Sequence, residues 1–158
     1  MTGKFDEILR AAAREIAAAA TEEGDRASLG DIQDQTLLFL VEELRARGIN
    51  QSVIADMLGL VRRSYYGKVR RLGHRTTPTE TLWSRVVEAL SAGEATSASL
   101  SCRFYRDDPV TLRAVLGDLV SSGRVYRSGS GVDAVYRARP REVILSENDY
   151  TMSRRTTT

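Results

Sequence analysis

Apolar residues recur at helical spacing along most of the chain, which predicts a mainly α-helical protein. Between residues 5 and about 20 they fall near one side of a helix, and alanine, a strong helix former, fills most other positions. A second helix is expected to begin at Asp31 as its N-cap. Its apolar stripe follows the spacing i, i+3, i+4, i+7 and consists of Leu37, Leu40, Val41 and Leu44. Two shorter helices, roughly 51–58 and 63–72, are predicted to pivot on Gly59.

Helical spacing resumes after residue 79 and later changes to strict alternation. Three helices are predicted: one that stops at Gly93, a short one over residues 97–104, and a longer one that begins at the N-cap Asp108. Polar and apolar residues then alternate on both sides of a segment rich in serine and glycine, which predicts a β-hairpin. The strands of this hairpin are residues 124–127 and 134–137. The expected fold class is therefore mainly α with a small two-stranded β-hairpin.

These patterns divide the chain of 158 residues into two predicted units. Residues 1–73 form a helical unit, and residues 79–140 form a second one. Residues 74–78 are a polar linker that contains a proline, and residues 141–158 are a polar tail expected to be frayed. Hydrophobic residues make up 42% of the chain, which is enough to build a core in each unit.

The composition disfavours several classes of protein. No apolar run approaches the roughly 20 residues of a membrane span, and the amino terminus lacks a signal-peptide pattern, so we expect a cytoplasmic protein. One histidine, His74, and one cysteine, Cys102, are too few for most zinc sites and for most catalytic arrangements that depend on these residues. We expect His74 to be solvated and Cys102 to be a small buried hydrophobic residue. An enzyme is therefore not expected, and no cofactor is implied.

Charge is distributed unevenly behind the formal net value of +2. Residues 1–60 contain 6 Lys and Arg against 11 Asp and Glu, whereas residues 61–158 contain 17 against 10. The segment from residue 61 to residue 75 contains no acid and six bases, which are Arg62, Arg63, Lys68, Arg70, Arg71 and Arg75. Such a concentrated basic stripe is typical of a site for a polyanion.

Residues 51–72 have the spacing of a helix-turn-helix. Small Ala55 allows the two helices to cross closely, and Gly59 suits a turn that needs positive φ. The second helix is expected to bury Tyr65, Val69 and Leu72. Its outward residues are then Arg62, Arg63, Tyr66, Arg70 and Arg71. This is the arrangement that major-groove recognition needs, since arginine bonds guanine bidentately and further bases neutralise phosphates.

The residues preceding the first of these helices add a second feature. Asn50 is expected to cap that helix, whose N-terminal amides can receive a phosphate.

The 26-residue segment GINQSVIADMLGLVRRSYYGKVRRLG, residues 48–73, resembles the DNA-binding end of Fis-type bacterial proteins. In that family two upstream helices of each chain intertwine in a homodimer, and the basic helices enter successive major grooves. The resemblance implies a homodimer through residues 5–47. It also implies that Arg62 and Ser64 contact DNA, with Lys68, Arg70 and Arg71 as the basic helix end.

Three residues depart from the family pattern. Val61 replaces a polar residue, so one polar contact is missing. Tyr65 replaces a core leucine, which requires a water for its hydroxyl. Gly67 stands where the family usually has a base, and it costs the helix roughly 1 kcal/mol relative to alanine.

Residues 79–138 resemble a winged helix, a superfamily with many uses. Its predicted recognition helix carries Thr111, Arg113 and Asp118, a mixed rather than basic face. Tyr126 and Tyr136 are spaced for cross-strand pairing. Arginines make the hairpin positive, namely Arg124, Arg127, Arg137 and Arg139. Contact of Arg127 and Arg137 with DNA, a solvated wing, and a wing that binds protein all remain open.

Together these features predict a sequence-specific DNA-binding protein, a bacterial transcription regulator of the nucleoid that reads double-stranded DNA with helix 63–72. The alternative is a protein-interaction adaptor whose helical units pack against partners, including a protein partner of the winged helix. The two hypotheses differ in salt dependence, since only phosphate contact gives a linear fall of log K with log salt.

Overall fold

The computed structural model describes residues 3–75 and 77–140. These residues form a mainly helical chain, as predicted, with three short strands. The helices are α1 Gly3–Ala20, α2 Leu29–Ala46, α3 Gln51–Met57, α4 Arg62–Gly73, α5 Leu82–Ser91, α6 Ser97–Arg103 and α7 Pro109–Ser121. The strands are β1 Ala95–Thr96, β2 Val125–Ser128 and β3 Val135–Ala138. The predicted tail, residues 141–158, lies outside the described residues.

Side-chain caps mark where several helices begin. Asp108 accepts a hydrogen bond from the backbone N–H of Thr111 at 2.8 Å and starts α7 as predicted. The predicted cap of α2 is wrong: Ser28 accepts from the backbone N–H of Asp31 at 3.3 Å, so the helix begins at Leu29. Either residue type makes a good N-cap, and the carboxylate of Asp31 is instead bonded to Thr79, far along the chain.

The first apolar core joins α2, α3 and α4. Its buried members are Val41, Ile54, Ala55 and Tyr65. Gly59 makes the turn between α3 and α4 with φ 65°, a conformation that L side chains disfavour. Helix α1 contributes little to this core, because its predicted apolar face is exposed, with Phe5 at 61% and Ile8 at 55%.

The second core is larger and lies between α5, α6, α7 and the sheet. It includes Val86, Leu90, Leu100, Phe104, Leu112, Leu116, Leu119, Val125 and Tyr136. The sheet is antiparallel with strand order β1-β3-β2. The predicted hairpin is confirmed by the pairing of β2 with β3, and β1 adds a third strand that was not predicted. Strand β1 has two residues, which is too short to show an alternating pattern in the sequence.

Polar contacts connect the two cores. Asp25 pairs with Arg124 at 2.8 Å, and Arg26 pairs with Asp118 at 3.0 Å, so the segment between α1 and α2 lies against the end of α7. Gly24 approaches this region so closely that a Cβ there would lie 2.9 Å from the carbonyl oxygen of Ser122. The predicted first unit therefore contacts the second one well before the linker is reached.

Both ends of the predicted linker are also held by α2. Arg75 forms ion pairs with Asp34 at 2.8 Å and Asp31 at 3.4 Å, and Thr79 donates to Asp31 from its hydroxyl and its backbone N–H, each at 2.7 Å. The hydrogen bonds from Thr79, with the charge of Arg75, hold the pKa of Asp31 below its usual value.

Among the residues that the structure describes, no helix has the length and apolar character needed to cross a membrane.

Candidate nucleic-acid interface

Tyr65 anchors α4 in the first core. Its side chain is fully buried, and its hydroxyl accepts a hydrogen bond from the guanidinium of Arg45 on α2 at 3.1 Å. The polar partner of this tyrosine is therefore an arginine rather than the water that the sequence led us to expect. A buried aromatic residue with a satisfied hydroxyl fixes how α4 is rotated on the core.

The rotation of α4 leaves a basic surface exposed, as the sequence predicted. Its exposed members are Arg62, Arg63, Ser64, Tyr66, Arg70 and Arg71, which we call the α4 face. The helix contains no acid, and within the described ranges none of the four arginines forms an ion pair. Their charge is therefore available to an external anion.

Aromatic contacts support the start of this face. The guanidinium carbon of Arg62 lies 5.6 Å from the ring centroid of Tyr66, a cation–π distance. The ring of Tyr66 in turn packs edge-on against Tyr65, with centroids 5.3 Å apart. Tyr66 therefore connects Arg62 to Tyr65, which is buried in the first core.

Two bases of the predicted stripe lie elsewhere. Lys68 is half-buried and lines an apolar groove of about 590 Å³ between α1 and α2, and its predicted contact with DNA stays a prediction. It lies one helical turn after Ser64 and next to the buried side of α4. Arg75 is neutralised by the carboxylates of α2. The basic stripe of the sequence therefore reduces to four exposed arginines on α4.

Asn50 caps α3 as predicted. Its side-chain oxygen accepts a hydrogen bond from the backbone N–H of Ser52 at 2.8 Å, and the residue is exposed. Its role toward DNA stays a prediction.

The structure places the two predicted hairpin contacts on opposite faces of the sheet. Arg127 pairs across the strands with Tyr136, and Arg137 pairs with Tyr126, so the predicted tyrosine pair is wrong. Side chains alternate along a strand, which puts Arg137 on the face of exposed Tyr126 and Arg127 on the face of buried Tyr136. One flat surface therefore cannot contact both arginines at once.

Arg124 does not contribute free charge to the hairpin, since it is paired with Asp25.

Helix α7 presents a different outer surface from α4. Asp118, predicted to lie on it, instead accepts hydrogen bonds from Arg26 at 3.0 Å and from the indole of Trp83 at 3.1 Å. The exposed residues of α7 that remain are mostly small or uncharged, namely Pro109, Val110, Thr111, Arg113, Ala114, Gly117 and Ser121. The hydroxyl of Thr111, with backbone hydrogen bonds, lowers the pKa of the capping Asp108.

Sequence reasoning missed three exposed apolar residues on α3 and before α4. Val53 and Met57 lie one turn apart on α3, and Val61 precedes α4; their exposed fractions are 50%, 60% and 72%. The four-residue spacing of Val53 and Met57 puts both on one side of a helix, but buried core residues have the same spacing. The sequence therefore could not show whether this side of α3 is buried or exposed. Cys102 was also predicted wrongly, because its side chain is exposed.

Across the described part of the chain, no group of three or more histidine, cysteine or acidic residues is placed to hold a metal ion.

Comparison of the chain with protein-family models, with curated proteins and with solved structures found no match.

Proposed function

We propose that this protein binds double-stranded DNA and reads its sequence in the major groove with α4, as a bacterial transcription regulator. The observation that carries the proposal is the α4 face, where four exposed arginines occur on one helix with no acid and no ion pair among the described residues. Like charges placed close together on one helix repel one another, and a polyanion bound across them relieves that repulsion.

The order of residues along α4 supports distinct roles within the groove. Arg62, at the helix start and braced by Tyr66, is suited to reach base edges, where a bidentate bond to guanine discriminates by about 1–3 kcal/mol. Arg70 and Arg71 lie roughly two turns later, where the helix leaves the groove beside a phosphate strand. Base recognition is therefore assigned to the start of α4 and phosphate contact to its end.

The second unit is proposed to be a winged helix. The element order α5-β1-α6-α7-β2-β3, with a hairpin that carries Arg127 and Arg137, supports this assignment. Because these two arginines lie on opposite faces of the sheet, only one of them would contact a DNA phosphate in a given complex.

A homodimer through α1 and α2 completes the proposal. Phe5, Ile8 and Leu9 on α1 are each more than half exposed, as are Phe39 and Leu40 on α2. Exposed apolar residues that lie outside both cores favour burial against a second copy. Leu40→Asp is expected to dissociate the dimer, and light scattering that gives a monomer mass for the unaltered chain at micromolar concentration would contradict it.

Salt dependence tests the central proposal. Duplexes selected from a random pool are titrated at several salt concentrations, and log K is expected to fall linearly with log salt, by about 0.9 per phosphate contacted. The matched variants are Arg70→Ala with Arg71→Ala, and Arg10→Ala with Arg14→Ala, which removes the same charge from α1. A slope unchanged by the first pair would overturn the assignment to α4.

A protein-interaction adaptor is the second candidate, and the exposed apolar residues Val53, Met57 and Val61 favour it. Failure to bind any duplex at low salt would make this function the better one.

A further inference from the structure

Gly67 lies in the middle of α4, where nothing within the protein requires a glycine. Its φ is not positive, and a Cβ built on it would have no atom within 4 Å apart from those of its chain neighbours and of the backbone of its own helix. Glycine weakens a helix interior because it loses more conformational freedom on folding than any other residue. The folded chain therefore carries a helix-destabilising residue that neither its backbone nor its packing explains.

The surroundings of Gly67 lie outside the protein core. Arg63 precedes it by one turn, and Arg70 and Arg71 follow by one turn, so these three exposed side chains are its neighbours on the helix surface. Gly67 is thus a patch of bare backbone at the centre of the α4 face.

Groove dimensions make this bare patch meaningful for DNA. The major groove is about 12 Å wide and 8.5 Å deep, and a helix with side chains is about 10–12 Å across, so a helix fits with little clearance. The side chain at the middle of the inward face then determines how deeply the helix can enter. Glycine is the residue that permits the closest approach of a backbone to a ligand.

We propose that Gly67 is a positioning residue that lets the backbone of α4 lie directly against base-pair edges at the floor of the major groove. At that depth Arg62 reaches the base edges at the start of α4, and Arg70 and Arg71 reach the phosphate strand at its end. This inference rests on the proposed function and adds to it how deeply α4 enters the major groove. A Cβ at position 67 acts as a spacer that holds Arg62 back from the bases.

The test is Gly67→Ala, because this substitution is expected to raise thermal stability and to lower affinity for DNA, so the two effects can be told apart. The variant is expected to unfold at a temperature about 2–4 °C higher, as a helix-favouring substitution on an open surface should. Its affinity for the preferred duplex is expected to fall about tenfold, the loss of one good base contact, with a much smaller loss on a scrambled duplex. Gly67→Leu should lose more affinity than Gly67→Ala.

Gly117→Ala is the matched control. Gly117 also lies in a helix interior, on the exposed side of α7, and a built Cβ would have no atom within 4 Å apart from those of its chain neighbours and of its own helix backbone. This variant should gain thermal stability and keep the affinity of the unaltered chain on both duplexes.

Three results would overturn the inference in distinguishable ways. If Gly67→Ala binds the preferred duplex as well as the unaltered chain does, the inference is wrong and the proposed function stands. An equal loss on both duplexes would contradict contact with base edges. If the unaltered chain binds no duplex, the proposed function fails and the inference fails with it.

Discussion

Helices α4 and α7 have the same inward pattern and opposite outward chemistry. Each packs its own core with residues at i and i+4: Tyr65 and Val69 in α4, and Leu112 and Leu116 in α7. At i+7, Leu119 of α7 is fully buried, whereas Leu72 of α4, which was predicted to be buried, is only half-buried. Outward, α4 presents four arginines and α7 presents mostly small uncharged residues. The shared spacing shows that packing sets the orientation of both helices, and the difference shows that packing leaves their surface chemistry free.

The starts of the two helices also differ in charge. Asp108 caps α7 with a carboxylate, whereas α4 begins after Val61, which makes no side-chain cap. A carboxylate stabilises the helix start but repels a phosphate placed there. Val61 leaves the start of α4 without negative charge, at some cost in helix stability. The comparison therefore predicts that α4 meets DNA and that α7 does not.

Removing the anchor of each helix should have the largest effect. Tyr65→Ala is expected to cost about 3–5 kcal/mol of unfolding free energy, and Leu119→Ala about 2–5 kcal/mol, because both side chains are fully buried. Urea unfolding measures both. Only Tyr65→Ala should abolish DNA binding, assayed below its unfolding transition. An equal loss of binding in Leu119→Ala would give both helices a role.

Charge removal at the end of α4 should have the next largest effect. Arg70→Ala with Arg71→Ala should weaken binding to preferred and scrambled duplexes alike and reduce the salt slope by about 1.8, since each phosphate contact contributes about 0.9. Arg103→Ala with Arg113→Ala removes equal charge from α6 and α7 and should leave the slope unchanged. A matching reduction in this second pair would break the comparison.

The start of α4 should affect specificity. Arg62→Ala is expected to cost about 1–3 kcal/mol on the preferred duplex and to relax preference at one base pair, since a bidentate contact is lost. Arg113→Ala, the corresponding change on α7, should alter neither quantity. Titrations on preferred and scrambled duplexes, with circular dichroism to verify folding, measure the difference. Parent-like binding by Arg62→Ala would favour the adaptor.

The hairpin should show a smaller and asymmetric effect. Arg127 and Arg137 lie on opposite faces, so one single alanine variant should reduce the salt slope by about 0.9 and the other should leave it unchanged. Salt titration of the two single variants is the measurement. Unchanged slopes in both would assign the hairpin to protein contact or to solvent.

Lowering the pH should have the smallest of these effects, and it should change the start of α7 but not the start of α4. The lowered pKa of Asp108 means that its carboxylate stabilises the folded state above the ordinary Asp pKa, and that this contribution is lost as the pH falls through the lowered value. The start of α7 should therefore loosen in acid, and the start of α4, which has a valine there, should not. Amide chemical shifts of Thr111 followed against pH measure this, with Asp108→Asn as the control. A titration of Thr111 that persists in Asp108→Asn would assign it to another group.

Local sequence determined the helices and most of their ends. The caps Asn50 and Asp108 and the turn at Gly59 were predictable, because each follows from hydrogen bonding or backbone freedom within a few residues. The period of apolar residues also identified the inward side of α4, and so its outward arginines. These features depend on contacts close in sequence.

Only the tertiary structure decided which charged groups remain available. Ion pairs with residues more than 40 positions away neutralise Arg75, Arg124 and Asp118. Lys68 is half-buried and lines the groove between α1 and α2. The same holds for strand β1, whose two residues exist as a strand only because β3 lies beside them. A pattern along the chain records the spacing of residues on one element, whereas pairing across elements depends on how the elements pack.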